Sequence, residues 1–385
     1  DDYGTAIKNY SQSNKFSQEI RLASKPGDDL EWMVGGFFTH EAYLSNQTIY
    51  AVDAKTGEDI GFPSLNTAYA PSAYTEYAGF ASATYHFSQA FDLQLGARIA
   101  ALHQYYHEID GGLMSDASDT EDSSSSNVFT YAITPRYHIS EDMMVYARIA
   151  TGYRPGGPNS APDGPVSYGP DRTTNYEVGF KGVILPDLLT LDVSLFNIEW
   201  RDIQLQAATS SGYSYVQNGG AARSRGFEFS GILTPSDGLT ITANFSYADA
   251  ILTQNVDNSS LYGTKGQRLP YSSKTSGNLS ADQKFPIMTG IDGVVGATFN
   301  YIGSRYGLFP EASGGERFFM PAYGTVDLHA GFDTGNWEFT LYSKNLFDQK
   351  GLMQASSRDV ITRTGDYNAA TITPRTIGIS VSRHF

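Results

Sequence analysis

The 385-residue chain has no cysteine, which removes a disulfide framework and any cysteine-based zinc site. It also lacks any apolar run approaching the roughly 18 residues that a membrane-spanning helix needs. Positive charge is scarce: 26 lysines and arginines stand against 41 aspartates and glutamates, giving a formal net charge of −15 and a pI of about 4.8. That balance argues against a nucleic-acid partner and favours solvated acidic loops. Charged residues of both signs make up only 17% of the chain, below the roughly 25% of ordinary soluble domains. Aromatics are abundant instead, at 13%, with 26 tyrosines and 22 phenylalanines. Mean hydropathy is nevertheless −0.31. These features combine in a membrane β-barrel, whose lipid face takes only every second residue; a secreted β-rich protein shares part of the profile.

The chain carries a period of two throughout. In its last stretch Ile377, Ile379, Val381 and Phe385 share one face of an extended strand, opposite Thr376, Gly378, Ser380, Ser382 and His384. In "GLTITANFSYAD" Leu239, Ile241, Ala243, Phe245 and Tyr247 alternate with polar residues, and "TVDLHAGF" and "LLTLDVSL" behave alike. Such runs are about ten residues long, the length of a tilted strand that crosses a bilayer. Short turn-rich connections (24–29, 87–92, 139–142, 184–188, 234–238, 285–290 and 333–336) alternate with long polar ones, at about 44–72, 107–127, 153–171, 206–213, 249–270, 304–321 and 346–373. Short turns at one rim and long loops at the other are the asymmetry of an outer-membrane barrel. The pattern predicts an all-β, antiparallel transmembrane barrel domain over 1–385 with about fifteen strands, beginning at 15–24. Single-chain bacterial barrels close with even numbers, so strands are expected upstream of this sequence.

Six stretches, "ARIATGYRPGGPN" (147–159), "NYEVGFKG" (175–182), "LFNIEWRDIQLQ" (195–206), "NGGAARSRGFEFSG" (218–231), "LYSKNLFDQKG" (341–351) and "PRTIGISVSRHF" (374–385), together resemble TonB-dependent outer-membrane receptors. The resemblance implies the C-terminal portion of a 22-stranded plugged barrel, with the plug, the TonB-contacting box and the first strands expected elsewhere. It further implies energised uptake through TonB, assembly by the barrel-assembly machinery with Phe385 as its signal, contact with outer-membrane lipid and lipopolysaccharide, and no enzymatic activity or cofactor. The substrate class most common in the family is a ferric siderophore. A glycan, cobalamin, an aromatic acid or a passive porin role are the alternatives. Locally, Gly226 is read as beginning a strand, and Asn345 and Asp348 as bonding turn backbone.

Ligand specificity is expected where long loops meet the upper lumen. Tyr153, Arg154, Tyr168, Arg172, Tyr213, Tyr215, Arg305, Tyr306, Phe309, Arg358, Arg363 and Tyr367 are the candidates. Arginine suits carboxylate or phosphate, and tyrosine or phenylalanine supplies flat contact area. His103 and His107 lie about 13 Å apart on an extended strand, too far to share a metal ion. Asp327 and His329 share the lumen face without a nucleophile motif. The acidic stretch from Glu108 to Asp122 lacks ordered calcium-ligand spacing and reads as solvated charge.

Overall fold

The computed structural model describes residues 3–159, 161, 164–208, 214–257, 262–307, 309, 317–357 and 367–384. Among them fifteen strands form one antiparallel sheet in which each strand pairs with its neighbour in sequence. The first five are long: β1 (Tyr3–Ala23), β2 (Leu30–Asp53), β3 (Asn66–His86), β4 (Phe91–Gly111) and β5 (Ser118–Ser140). Then come β6 (Met143–Arg154), β7 (Asp171–Leu185), β8 (Leu189–Arg201), β9 (Ala221–Ser236) and β10 (Leu239–Leu252). The sheet ends with β11 (Thr275–Met288), β12 (Ile291–Ile302), β13 (Tyr323–Asp333), β14 (Trp337–Lys344) and β15 (Thr376–Arg383). The order runs linearly from β1 to β15. Short and long connections alternate as expected. Five of the long connections carry a small hairpin of their own, such as Gln204–Ala208 with Ser214–Asn218.

The register explains the alternation. Val178, Leu195, Phe227 and Tyr247 stand opposite one another across β7 to β10, and Ala330, Leu341 and Ile379 across β13 to β15. One step along, Ser194, Glu228, Ser246 and Ser276 form a row on the other face, where they line a polar hollow. Leu195 is 57% exposed and Ile379 73%. A continuous apolar row exposed to that degree is unfavourable in water by about 25 cal/mol per Å² and at ease in hydrocarbon. Aromatics fringe it at both heights. Tyr85, Phe87 and Phe91 stack near the short turns, with ring centroids 4.7 and 5.5 Å apart; Phe16, Phe38 and Tyr77 stack higher up, at 6.2 and 5.0 Å. From Phe91 to Ala101 on β4 the strand climbs about 33 Å along its axis, or about 25 Å at a tilt near 40°, the height of a lipid-facing band.

Several boundaries differ from the sequence expectation. The first strand begins at Tyr3, not near Lys15, and β4 and β5 stay paired up to Asp110↔Ser118. The stretch "DASDTEDSSSSN" is therefore mostly strand. Its ladder lies above the lipid, where both faces meet water and no hydrophobic period is needed. Polar cross-strand pairs take over, including His107 Nε2 to Asp119 Oδ1 at 2.7 Å and His103 Nδ1 to Ser125 Oγ at 2.9 Å. Strand β9 likewise starts at Ala221, five residues before Gly226. Gly226 is instead a point of close backbone approach, since a Cβ there would strike the Tyr247 carbonyl.

Candidate functional site: a braced loop platform over a polar lumen

The loop after β6 is tied to the loop after β8 by side-chain amides that imitate strand pairing. Asn159, 7% exposed, donates through Nδ2 to the Val216 carbonyl at 2.8 Å and accepts the Val216 amide at 2.8 Å. Asn218 accepts the Gly169 amide at 2.6 Å and donates to the Gly169 and Asp202 carbonyls at 2.9 and 2.8 Å. Gln204 Nε2 reaches the Pro155 carbonyl at 2.7 Å. Each amide carries a donor and an acceptor in one plane, so it can substitute for a missing backbone partner. Gly156 is required by this close packing, because a Cβ there would collide with the Tyr168 carbonyl oxygen.

A second brace is apolar. Ile203, Ala222, Leu252, Val256 and Phe309 form a buried cluster flanked by Trp200, Leu205 and Leu269. It joins the loops after β8, β10 and β12. Above it the Arg317 guanidinium bonds the carbonyls of Arg268 (2.6 Å) and Gly307 (2.7 Å) and sits over the rings of Phe309 (4.9 Å) and Tyr306 (5.3 Å). Burial lowers its pKa from the usual arginine value. Near the end of the chain, Asn345 closes the loop after β14. Its side chain bonds the Gln349 and Thr373 carbonyls (3.0 Å each) and the Gln349 amide (2.9 Å). Asp348 accepts the Arg375 amide at 3.0 Å. Both residues have left-handed φ values, 50° and 53°, which Asn and Asp tolerate better than most.

Beneath the loops the lumen is polar and paired. Arg98 bonds Glu76, and the Tyr74 hydroxyl donates to Glu76 at 2.7 Å. Tyr146 donates to Glu177 at 2.7 Å. Asp92, 1% exposed, accepts from Arg136 at 2.6 Å and lies 2.7 Å from His138 Nε2, low in the lumen. Asp327 accepts the Asn345 amide at 2.7 Å while His329 pairs with Asp282 at 3.1 Å, so these two lumen residues serve different partners.

A family profile described as TonB dependent receptor-like, beta-barrel, matches residues 1–346. The chain belongs to the TonB-dependent receptor family. It is 24% identical to the pesticin receptors of Yersinia enterocolitica and Yersinia pestis, over 99% of this chain and 53% of theirs. It thus spans about half the length of these relatives. Among solved structures, the ferric yersiniabactin uptake receptor of Yersinia pestis superposes with a TM-score of 0.81 at 18% identity, covering 98% of this chain and 55% of that one. A siderophore receptor of Acinetobacter baumannii follows at 0.74 and 16%, covering 97% and 56%. At this level of identity the likeness concerns the fold.

Within this receptor barrel the twelve candidate residues separate into groups. Arg154 is engaged with buried Asp171 at 2.6 Å and lies over the Trp200 ring at 5.6 Å. Arg305 and Phe309 are 6% and 7% exposed; the first bonds the Leu352 carbonyl and the second fills the loop core. Tyr153, like Tyr74, packs against the buried Ala100, Leu102 and Val128. These four belong to the framework. Tyr168 is half-buried in the first brace, and burial raises its pKa above the usual tyrosine value. Arg172 and Tyr306 are exposed, and Tyr215 is partly so. Tyr213, Arg358, Arg363 and Phe385 lie outside the described residues, as does the side chain of Tyr367. Sequence reasoning missed Asn159, Gln204, Asn218 and Arg317. Their partners are up to 57 residues away in the chain, and a lone amide in a polar loop gives no local signal.

Proposed function

We propose that the chain is the barrel portion of an outer-membrane receptor that takes up a ferric siderophore through TonB-dependent active transport. The observation that carries this reading is the braced loop platform. Amide bridges and a shared apolar core hold the long loops in one arrangement over a polar lumen, and pre-organised loops lower the ordering cost of capturing a scarce ligand. Two structures of like fold, a ferric yersiniabactin uptake receptor and a siderophore receptor, support this class of ligand. In this reading Arg172, Tyr168, Tyr215 and Tyr306 present the capture surface, with Tyr213, Arg358, Arg363 and Tyr367 added from the loops. The plug of the full-length protein completes the site and contacts TonB, and Phe385 serves recognition by the assembly machinery.

The test is a binding panel on the full-length receptor, with ferric siderophores, cobalamin and oligosaccharides at two salt concentrations. An anionic ferric complex should bind, and Arg172→Gln should weaken it more at low salt than at high salt, as screening removes the arginine's advantage. Tight, salt-insensitive binding of a neutral sugar would overturn the iron reading.

A further inference from the structure

The upper half of β5 has a free edge. Strand β5 pairs with β6 only from Ala132 to Ser140, while its pairing with β4 runs unbroken from Tyr137 up to Ser118. At the parting point Tyr131 donates its N–H to the Thr151 hydroxyl at 2.9 Å and accepts that hydroxyl at its carbonyl at 3.4 Å, so one side chain replaces a strand partner. Beyond it the loop after β6 crosses to the lumen side of the ladder, where Tyr153 packs against Ala100, Leu102 and Val128 and Gln104 bonds the Gly156 carbonyl. It does not extend the sheet. Both backbone groups of a residue point to one side of an antiparallel strand, and the side alternates. Phe129, Asn127, Ser125, Ser123, Glu121 and Asp119 therefore aim their N–H and carbonyl groups the same way as Tyr131. No strand pairs with them on that side among the described residues; the Ser123 N–H is met by the Asp122 carboxylate beside it, at 3.1 Å.

Natural sheets blunt such an edge with a lysine, a proline or a bulge. From Ser118 to Thr134 β5 has no lysine and no proline, and its register with β4 shows no bulge. The charge around the edge has one sign. Between Arg98 and Arg136 the sequence has six carboxylates and no lysine or arginine, and β2 and β3 contain neither basic residue anywhere. Asp119 and Glu121 are held on the outward face beside the edge by His107 and Tyr105 of β4. A second copy pairing edge to edge would bring the same carboxylates and be repelled. Lower down Ser123 and Ser125 are small, and Phe129, 61% exposed, offers an apolar foot.

We infer that the upper edge of β5 receives an extended strand of a cationic polypeptide from outside the cell. Lysines or arginines of that strand come opposite Asp119 and Glu121, and an apolar residue comes opposite Phe129. Main-chain bonds to the edge supply affinity, and the side chains supply the choice of partner. This rests on the outer-membrane placement of the proposed function and is independent of the transported ligand.

Full-length receptor in detergent is titrated with strand-length synthetic peptides, read by fluorescence anisotropy and by amide hydrogen exchange. The probes are alternating threonine and lysine, alternating threonine and glutamate, and the lysine peptide N-methylated at every second residue. The lysine peptide should bind and slow exchange at Ser125 and Asn127, while the other probes bind far more weakly. Ser125→Pro removes one edge N–H without touching the β4 ladder, a change that edge strands tolerate. It should weaken the lysine peptide by about tenfold, equivalent to about 1.4 kcal/mol. Ser125→Ala loses the same hydroxyl contact with His103 but keeps the N–H, and should bind as the wild type does. Exchange at Ser124, whose amide faces β4, should stay slow in both variants. Equal binding by Ser125→Pro and wild type overturns strand addition and leaves charge attraction only. Equal binding of the glutamate peptide overturns the cationic partner, and a wild type that binds no probe overturns the inference as a whole. So does slow exchange at Ser125 and Asn127 in the free receptor, which would mean that another part of the same chain already covers the edge. Protection that grows with receptor concentration would assign the edge to a second copy and overturn it equally.

Discussion

Arg154 shows how a residue of the right type for a ligand can be committed to the fold. It neutralises Asp171, which is 2% exposed and also accepts the Gln204 amide at 3.3 Å. Arg154→Gln leaves a buried carboxylate short of its cation and should cost about 1–3 kcal/mol of stability, read as a lower unfolding midpoint of the full-length barrel. Arg172→Gln should leave that midpoint unchanged and affect only binding. The reverse pattern would return Arg154 to the ligand. Asn159→Ala tests the amide bridge in the same way. It strands the Val216 amide and carbonyl, so hydrogen exchange at Val216 should accelerate while exchange at Leu195 on β8 stays slow. Unchanged protection at Val216 would mean the bridge holds nothing. Neither role was legible in the sequence, because an arginine before "PGGPN" reads equally well as ligand or as brace. What decides is a partner far along the chain.

Among the elements, β7 to β15 were legible because lipid on one side and a polar lumen on the other impose a strict period of two. The upper parts of β1 to β5 were not. Above the lipid the ladder is held by backbone bonds and polar pairs, and serine-rich strand looks like linker. The faces of β8 give a direct check. Leu195→Arg puts a charge on the lipid row beside Val178 and Phe227, and should cost about 2–4 kcal/mol near the bilayer midplane. Ser194→Arg, one residue away at nearly the same depth, faces the lumen beside Glu228 and should cost far less. Equal costs would mean the register is wrong or the sheet does not face lipid. The loop after β14 should respond to acid. Lys350, bonded to Asp348 at 2.8 Å, and the Arg375 amide hold the Asp348 carboxyl below its ordinary 3.8. A depressed acid stabilises fully above its unfolded value and loses that effect as pH falls through the lower folded value. Protection of the Arg375 amide, corrected for intrinsic exchange, should therefore decline in that acid window, and Asp348→Asn should flatten the profile. Identical profiles would exclude the carboxylate.

The whole sheet has an apolar outside fringed by aromatics, a paired polar inside, short turns at one rim and braced loops at the other. The outside and the turns could be read from alternation alone, since each depends on residue spacing. The bracing could not, since it depends on contacts between loops distant in the chain. The central claim is that this arrangement belongs to an energised importer and not to a pore. The most direct measurement is accumulation of radiolabelled ferric siderophore by cells producing the full-length receptor, with the inner membrane energised and then collapsed by a protonophore. The account predicts that surface binding persists after collapse while accumulation stops. Accumulation that continues at the same rate without energy would contradict it and assign the barrel to passive diffusion.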